Sequence, residues 1–215
     1  KAGLVEGIKF VDIYEHLYSK REEYIYYRTD HHWTSKGAYC GYVGLMSAMG
    51  ISPMDENEFH IERVTDDFYG TLYSKSGFRH MSPDTIDIYK YKTLKKCSVE
   101  YYGEDKIASS IYDRRALDKK DKYQVFLGGN YPYVKITTDA REGSKLLIVK
   151  DSYANSLVPF LLAHYDEIYL IDLRYYDENI CDTIKSEEID DVLILYNVST
   201  FFEDQSIVNL SREGG

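Results

Sequence analysis

The sequence is short of cysteine, of basic charge and of long apolar runs, and each shortage narrows what the chain can be. Its three cysteines, Cys40, Cys97 and Cys181, stand at no close spacing. An odd, scattered set is neither a zinc knuckle nor a disulfide framework, and at most one bridge can form. Cys40 falls in an expected helix and reads as buried apolar filler. Lys and Arg number 26 against 36 Asp and Glu, for a net charge of −10. That deficit argues against nucleic acid and against an anionic membrane surface, since both recruit clustered Lys and Arg. No stretch is long and apolar enough to span a membrane. There is no signal peptide, no internal repeat and no low-complexity segment. The chain starts at Lys1 without a methionine and stops at Gly214-Gly215; both ends read as trimmed. At 215 residues one domain is expected, with ample core.

What is abundant is tyrosine: 23 Tyr against one Trp and eight Phe. Aromatic faces stack on sugar rings, but Tyr is also a good strand residue and an amphipathic filler. Composition leaves both readings open, with filler the heavier.

Two short motifs carry chemistry. Residues 29–34 read Thr-Asp-His-His-Trp-Thr, and residues 150–153 read Lys-Asp-Ser-Tyr. The apolar run Leu146 to Val149 reads as a buried strand, so Ser152 sits where a strand ends and a helix begins. Ligands of α/β sheets bind at such strand ends, and free backbone N–H groups there can stabilise an oxyanion. Tyr24 to Arg28 reads as a second strand leading into Asp30. If that segment is extended, Asp30 and His32 point one way and His31 the other. Asp30 can then orient His32, and His32 can take a proton from Ser152. A structural Asp-His pair would give the same spacing.

The string Tyr27-Arg28-Thr29-Asp30-His31-His32-Trp33-Thr34-Ser35-Lys36-Gly37-Ala38 resembles the signature of the bacterial DHHW protein family. Residues 68–77, 150–155 and 172–176 look like its other recurrent blocks, so the resemblance runs from about Val11 to Asn197. The family is similar to the SGNH-like domains of the alginate O-acetyltransferases, which carry an Asp-x-His-Trp motif and, much later, a serine motif. The resemblance implies Asp30, His32 and Ser152 as a triad, in an order permuted from ordinary SGNH hydrolases. It implies O-acetyl transfer or deacetylation on a polysaccharide, with an acetylated donor and a carbohydrate acceptor as partners. It implies an extracellular or cell-envelope location. The usual Gly-Asp-Ser is Lys-Asp-Ser here, with Lys150 in place of glycine.

Element order gives the fold expectation. Ile8 to Asp12 reads as a strand and Ile13 to Arg21 as a helix. Thr34 or Ser35 caps a helix to about Met49, stopped by Gly50. Its stripe of Gly37, Gly41, Gly44 and Ala48 suits close packing on a sheet. Tyr69 to Ser76 and Thr85 to Tyr91 read as strands or loop arms. A charged stretch from Ile107 to Tyr123 reads as including a helix, Gly128-Gly129-Asn130 as a turn and Val134 to Thr138 as a strand. Strand 146–150, helix 156–164, strand 167–172, helix 177–186 and strand 191–196 make a βαβαβ pattern. The expected fold is α/β: a three-layer SGNH-like (flavodoxin-like) domain over 1–215. Its sheet is mainly parallel and flanked by helices, with a surface excursion around 51–130.

The functional expectation is serine-dependent acyl transfer or ester hydrolysis with no cofactor and no metal. Ser152 is the nucleophile, His32 the base and Asp30 its orienter. The Ser152 amide binds the oxyanion with one further donor. Asn197, Asn130, Arg174 and Tyr153 are the oxyanion or substrate-binding candidates, though Arg174 can instead pair with Asp151 or Asp172. Two alternatives stand beside it: a non-catalytic glycan-binding module, and a metal-dependent phosphoesterase using Asp30, His31 and His32. The further Asp motifs of such phosphoesterases are not matched, and His60 and His80 read as surface residues.

Overall fold

The computed structural model describes residues 7–104, 106–140 and 143–211; Lys1 and Gly214-Gly215 lie outside them. Residues 8–12 form no strand, and the first element among the described residues is a short helix, α1 (Tyr14–Tyr18). Helix α2 (Ser35–Met49) has its expected ends. The Thr34 side chain accepts from the Gly37 amide, and Gly50 closes it at φ 77°. Its glycine stripe does not face the sheet. A Cβ on Gly37 would fall 2.1 Å from the Ile25 carbonyl oxygen, and one on Gly41 would fall 2.9 Å from the Trp33 ring. The stripe instead lets residues 13–33 lie directly on the helix.

Tyr24 to Arg28 is not a sheet strand. Its one ladder contact is the bridge Tyr26–Trp33. The Tyr27 amide donates to the His32 carbonyl at 3.2 Å and the Thr34 amide to that of Ile25 at 3.0 Å. The segment thus folds back on itself, satisfying its backbone within a loop.

Strands β1 (Phe59–Phe68) and β2 (Asp84–Tyr91) pair antiparallel as a separate two-stranded sheet. Between them Thr71–Ser76 forms helix α3, not a strand, stopped by Gly77 at φ 70°. Phe68, Ile86 and Ile88 of this sheet pack with Tyr27, Tyr123, Val125 and Phe126. The charged stretch around 107–123 holds no α-helix. It makes short 3-10 turns at Arg114–Asp118 and Lys122–Val125.

The main sheet adds β3 (Cys97–Tyr101), β4 (Lys106–Ala108), β5 (Tyr133–Thr138) and β6 (Lys145–Lys150). Helix α4 (Val158–Leu161), β7 (Glu167–Ile171), helix α5 (Ile180–Ser186), β8 (Asp191–Leu195) and helix α6 (Val198–Glu203) complete it. Its order is β4-β3-β5-β7-β6-β8. β6 pairs parallel with β7 and β8, while the other three pairings are antiparallel. The sheet is therefore mixed, not mainly parallel. For the β3–β4 pair a short connection is the reason. A parallel neighbour needs a crossover of about a dozen residues. Only residues 102–105 separate β3 from β4, too few for such a crossover.

The βαβαβ reading of the C-terminal third matches the parallel core. Leu146, Leu147, Ile148 and Val149 are all buried. Leu146 and Ile148 join the cluster of Leu157, Phe160 and Leu161, while Leu147 and Val149 join Tyr169, Ile171 and Ile180. A strand covered on both faces needs an unbroken apolar run, which is what makes it visible. The expected helix 156–164 is shorter: a 3-10 turn at Ser152–Ser156, then α4 with Pro159 in its first turn.

Candidate active site

Ser152 follows β6 directly. Asp151 caps the 3-10 turn, one carboxylate oxygen accepting from the Tyr153 amide at 2.9 Å. The other accepts from the Asn197 amide at 2.9 Å, tying the ends of β6 and β8 together. Tyr123 Oη donates to the Ser152 carbonyl at 3.1 Å and to Ser156 Oγ at 3.0 Å. Trp33 Nε1 donates to the Tyr153 carbonyl at 3.1 Å and to Ser156 Oγ at 2.9 Å. These bonds fasten the 27–33 loop and the Lys122–Val125 turn to the serine turn.

The loop brings His32 onto Ser152. Nε2 of His32 is 2.7 Å from Ser152 Oγ, and Nδ1 is 2.5 Å from Asp30 Oδ1. The ring is buried and stacks on Tyr123, with centroids 3.7 Å apart and planes 9° from parallel. An ionised Asp30 can only accept, so Nδ1 carries the hydrogen and Nε2 is free to accept from the serine hydroxyl. Asp30 Oδ1 also accepts the His32 amide at 3.1 Å. Its Oδ2 accepts the Thr71 amide at 2.8 Å and the Thr71 hydroxyl at 3.1 Å. Burial pushes the Asp30 carboxyl up. The His32 hydrogen bond and charge, with the Thr71 and His32 amides, outweigh it and hold the group well below the usual carboxylate range.

His31 does not take the opposite face. Asp30 and His32 meet through a bend closed by the His32 amide, not through the alternation of a strand. The His31 ring lies beside that of His32, centroids 3.9 Å apart, with Nδ1 2.7 Å from Thr71 Oγ1. Burial and the neighbouring His32 charge push its pKa down.

Donor atoms of Asp30, His31 and His32 lie within 4.8 Å of one another, close enough to share a metal ion. Both nitrogens of His32 are already engaged, so it has no lone pair for a metal while the Asp30 and Ser152 bonds stand. His60 and His80 are exposed and outside this group.

The four binding candidates fare differently. Arg174 is committed to Asp172, its Nε and Nη2 donating at 2.8 and 2.6 Å. Asn197 gives its amide to Asp151 and uses its side-chain oxygen to cap α6. The Tyr153 amide is taken by Asp151, and its hydroxyl donates to the His31 carbonyl. Asn130 is exposed, and its Oδ1 accepts from Lys150 Nζ at 3.1 Å and Asn155 Nδ2 at 3.2 Å. Among the described residues no acceptor takes the Ser152 amide.

Several site residues were not singled out in the sequence. Thr71 fixes Asp30 from α3, and Gly70 makes room for it: a Cβ there would fall 2.2 Å from Asp30 Cβ. Buried Asp84 holds the loop just before Asp30, and Tyr123 floors the His32 ring. The one signal for Gly70 and Thr71 was their place in the 68–77 block. Beside the site a cleft of about 390 Å³ is lined by Tyr69, Tyr73, Arg79, Lys120 and Lys122 among others. The Tyr73 amide ties its wall to the Thr29 carbonyl at 2.9 Å.

The profile of the DHHW protein family matches residues 5–171. The chain belongs to the DHHW family. A crystal structure of a DHHW family protein from Eubacterium siraeum is 30% identical with a TM-score of 0.76, covering 94% of this chain. This chain spans 66% of that one, about two thirds of its length. PatB1 of Bacillus cereus, solved with a sulfonyl adduct, is 21% identical with a TM-score of 0.72. It covers 92% of this chain, which spans 70% of PatB1, and it establishes likeness of fold alone. The O-acetyltransferase domain of Pseudomonas putida AlgJ aligns over 93% of this DHHW protein and 66% of its own chain. Its TM-score is only 0.38, at 12% identity. Among curated proteins none matches the sequence.

Proposed function

We propose that this DHHW protein is a serine-dependent acyl-transfer enzyme, acting on acetyl esters of a cell-surface or extracellular polysaccharide. The observation that carries the reading is the hydrogen-bonded chain Asp30–His32–Ser152, at 2.5 and 2.7 Å. In this mechanism Ser152 Oγ attacks the acetyl carbonyl as His32 Nε2 takes its proton. Asp30 stabilises the imidazolium. The oxyanion is met by the Ser152 amide, at the start of the 3-10 turn, and by the side-chain amide of Asn130. The imidazolium then protonates the departing alkoxide, leaving acetyl-Ser152. A sugar hydroxyl or a water, deprotonated by His32, takes the acetyl group and regenerates the serine. Carbohydrate would approach over the cleft beside the site, lined by Tyr69, Tyr73 and Arg79.

The test is turnover of p-nitrophenyl acetate. We expect activity that survives chelator, and a loss of about 10³-fold or more in Ser152→Ala with an unchanged circular dichroism spectrum. Wild-type rates in Ser152→Ala would end the serine mechanism. Activity lost to chelator and restored by zinc or manganese would instead favour a metal on Asp30, His31 and His32.

A further inference from the structure

Among the described residues, Lys150 is a buried cation that the mechanism leaves unused. Lys150, the last residue of β6, is 1% exposed. Its Nζ donates to Asn155 Oδ1 at 2.9 Å and to Asn130 Oδ1 at 3.1 Å, and lies 3.9 Å from Asp172 Oδ2. Burying an ammonium is costly, and a well-packed apolar side chain in its place is often neutral or more stable. A group kept under those conditions calls for a role other than packing.

We infer that Lys150 is a positioning residue, whose ammonium fixes the Asn130 amide with its oxygen inward so that its Nδ2–H group faces the acyl group on Ser152. The inference rests on the acyl-transfer reading above.

The chemistry of the donors carries it. An ammonium has hydrogens to give and no lone pair. Both asparagines must therefore turn their oxygens to Lys150, and neither amide can flip without setting N–H against N–H. Asn155 Nδ2 then donates to the Gly129 carbonyl at 3.3 Å and to Asn130 Oδ1 at 3.2 Å. Asn130 Oδ1 receives two donors and is filled. What remains of the cluster is Asn130 Nδ2, on an exposed side chain.

Its place follows from the two partners of Asn130 Oδ1, which flank the serine. Lys150 ends β6 two residues before Ser152. Asn155 follows it by three in a 3-10 turn, where side chains three apart eclipse. The backbone before Asn130 is equally constrained. Leu127, Gly128 and Gly129 run at φ 63°, 74° and 121°, with the Leu127 side chain buried. A leucine in the left-handed region persists only where its surroundings hold it. Glycine at position 150 would supply none of this orientation.

The experiment measures kcat and KM on p-nitrophenyl acetate, and the rate of Ser152 labelling by methanesulfonyl fluoride by intact mass. It compares wild type, Lys150→Met, Asn130→Asp and the double variant. Asn130→Asp keeps a partner for the Lys150 charge but has no N–H to offer. We expect it to fold with a melting temperature near wild type and to lose about 10²-fold in kcat. Lys150→Met should lose about tenfold or more in kcat with KM nearly unchanged, because a released amide not only flips but moves away from the oxyanion. The double variant should be no slower than Asn130→Asp alone, with labelling rates following kcat. Wild-type kcat in either single variant, or effects that multiply in the double, would overturn the role of Lys150 while leaving the serine mechanism standing. Should Lys150→Met fail to fold, wild-type kcat in Asn130→Asp still overturns the inference. A wild-type protein that shows neither turnover nor labelling ends both readings.

Discussion

Asp30 sits at the balance point of the site. It is 3% exposed, and its two oxygens accept from His32 and Thr71. Those donors hold its native pKa below the unfolded value of about 3.9. A carboxyl depressed on folding contributes stability that is fully present above the unfolded pKa and lost as pH falls through the native one. Asp30→Asn should therefore cost about 1.5–3 kcal/mol at neutral pH, the worth of hydrogen bonds to a charged group. Urea denaturation of the two proteins should give a constant difference from about pH 5 to 8 that shrinks in more acid solution. A difference unchanged down to about pH 2 would mean that the charge contributes nothing. The motif spelled out this residue and its neighbours because one Asp, two His and the single Trp fall within four residues, and His numbers only six in the chain. Thr71, Asp84 and Tyr123 stand in no such cluster and act through contacts 29–91 positions away in the chain, from Tyr123 to Ser152 at 29 and Asp84 to Thr29 at 55 to Tyr123 under His32 at 91. Spacing within one segment carries no trace of such contacts.

At the scale of elements, two short pieces set the geometry of the loop. The first is the start of α3, where Gly70 faces Asp30. Gly70→Ala adds a methyl that must displace the carboxylate or the loop, and a shift of about 1 Å can cost about 10² in rate. We expect kcat/KM on an acetyl ester to fall by that order while circular dichroism stays unchanged. Activity within twofold of wild type would show that the contact yields. The second is the 3-10 turn carrying Tyr123. Tyr123→Phe keeps the ring under His32 and loses only the hydroxyl bonds to Ser152 and Ser156, so about 1 kcal/mol of stability should go. Tyr123→Ala removes the ring as well and should cost about 3–5 kcal/mol, readable as the difference in urea midpoints. These same elements explain what the sequence left dark. β6 announces itself with four apolar residues in a row, and α2 with its caps. By contrast β1 is mostly solvent-facing, with register shifts after Arg63 and Thr65, so neither alternation nor an apolar run marks it. α3 is six residues set between two glycines, too short for any period to show.

Across the whole molecule the site is a junction between two sheets. Ser152 belongs to the main sheet through β6, while Asp30 and His32 hang on the small sheet through Asp84, the first residue of β2. Asp84 is buried and accepts from Tyr24 Oη at 2.5 Å, the Thr29 amide at 2.7 Å and the Thr29 hydroxyl at 2.5 Å. It also accepts the Arg28 amide at 3.1 Å. No other carboxylate described in the chain gathers so much of the 24–29 segment, so its removal should loosen that segment selectively. Asp84→Ala leaves buried donors without partners, at about 1–3 kcal/mol each before relaxation. The main sheet loses no contact of its own, since β6 and β7 are buried on both faces by other residues. Local opening free energies differ between such units. Hydrogen exchange should therefore accelerate at the Arg28 and Thr29 amides, while those of Ile148, Val149 and Leu170 keep their protection. Ester turnover should fall with the first group, because His32 would be delivered to Ser152 only in the closed fraction. Uniform loss of protection in both sheets would mean that the two unfold as one unit, and that the small sheet is not the separable support for the histidine described here.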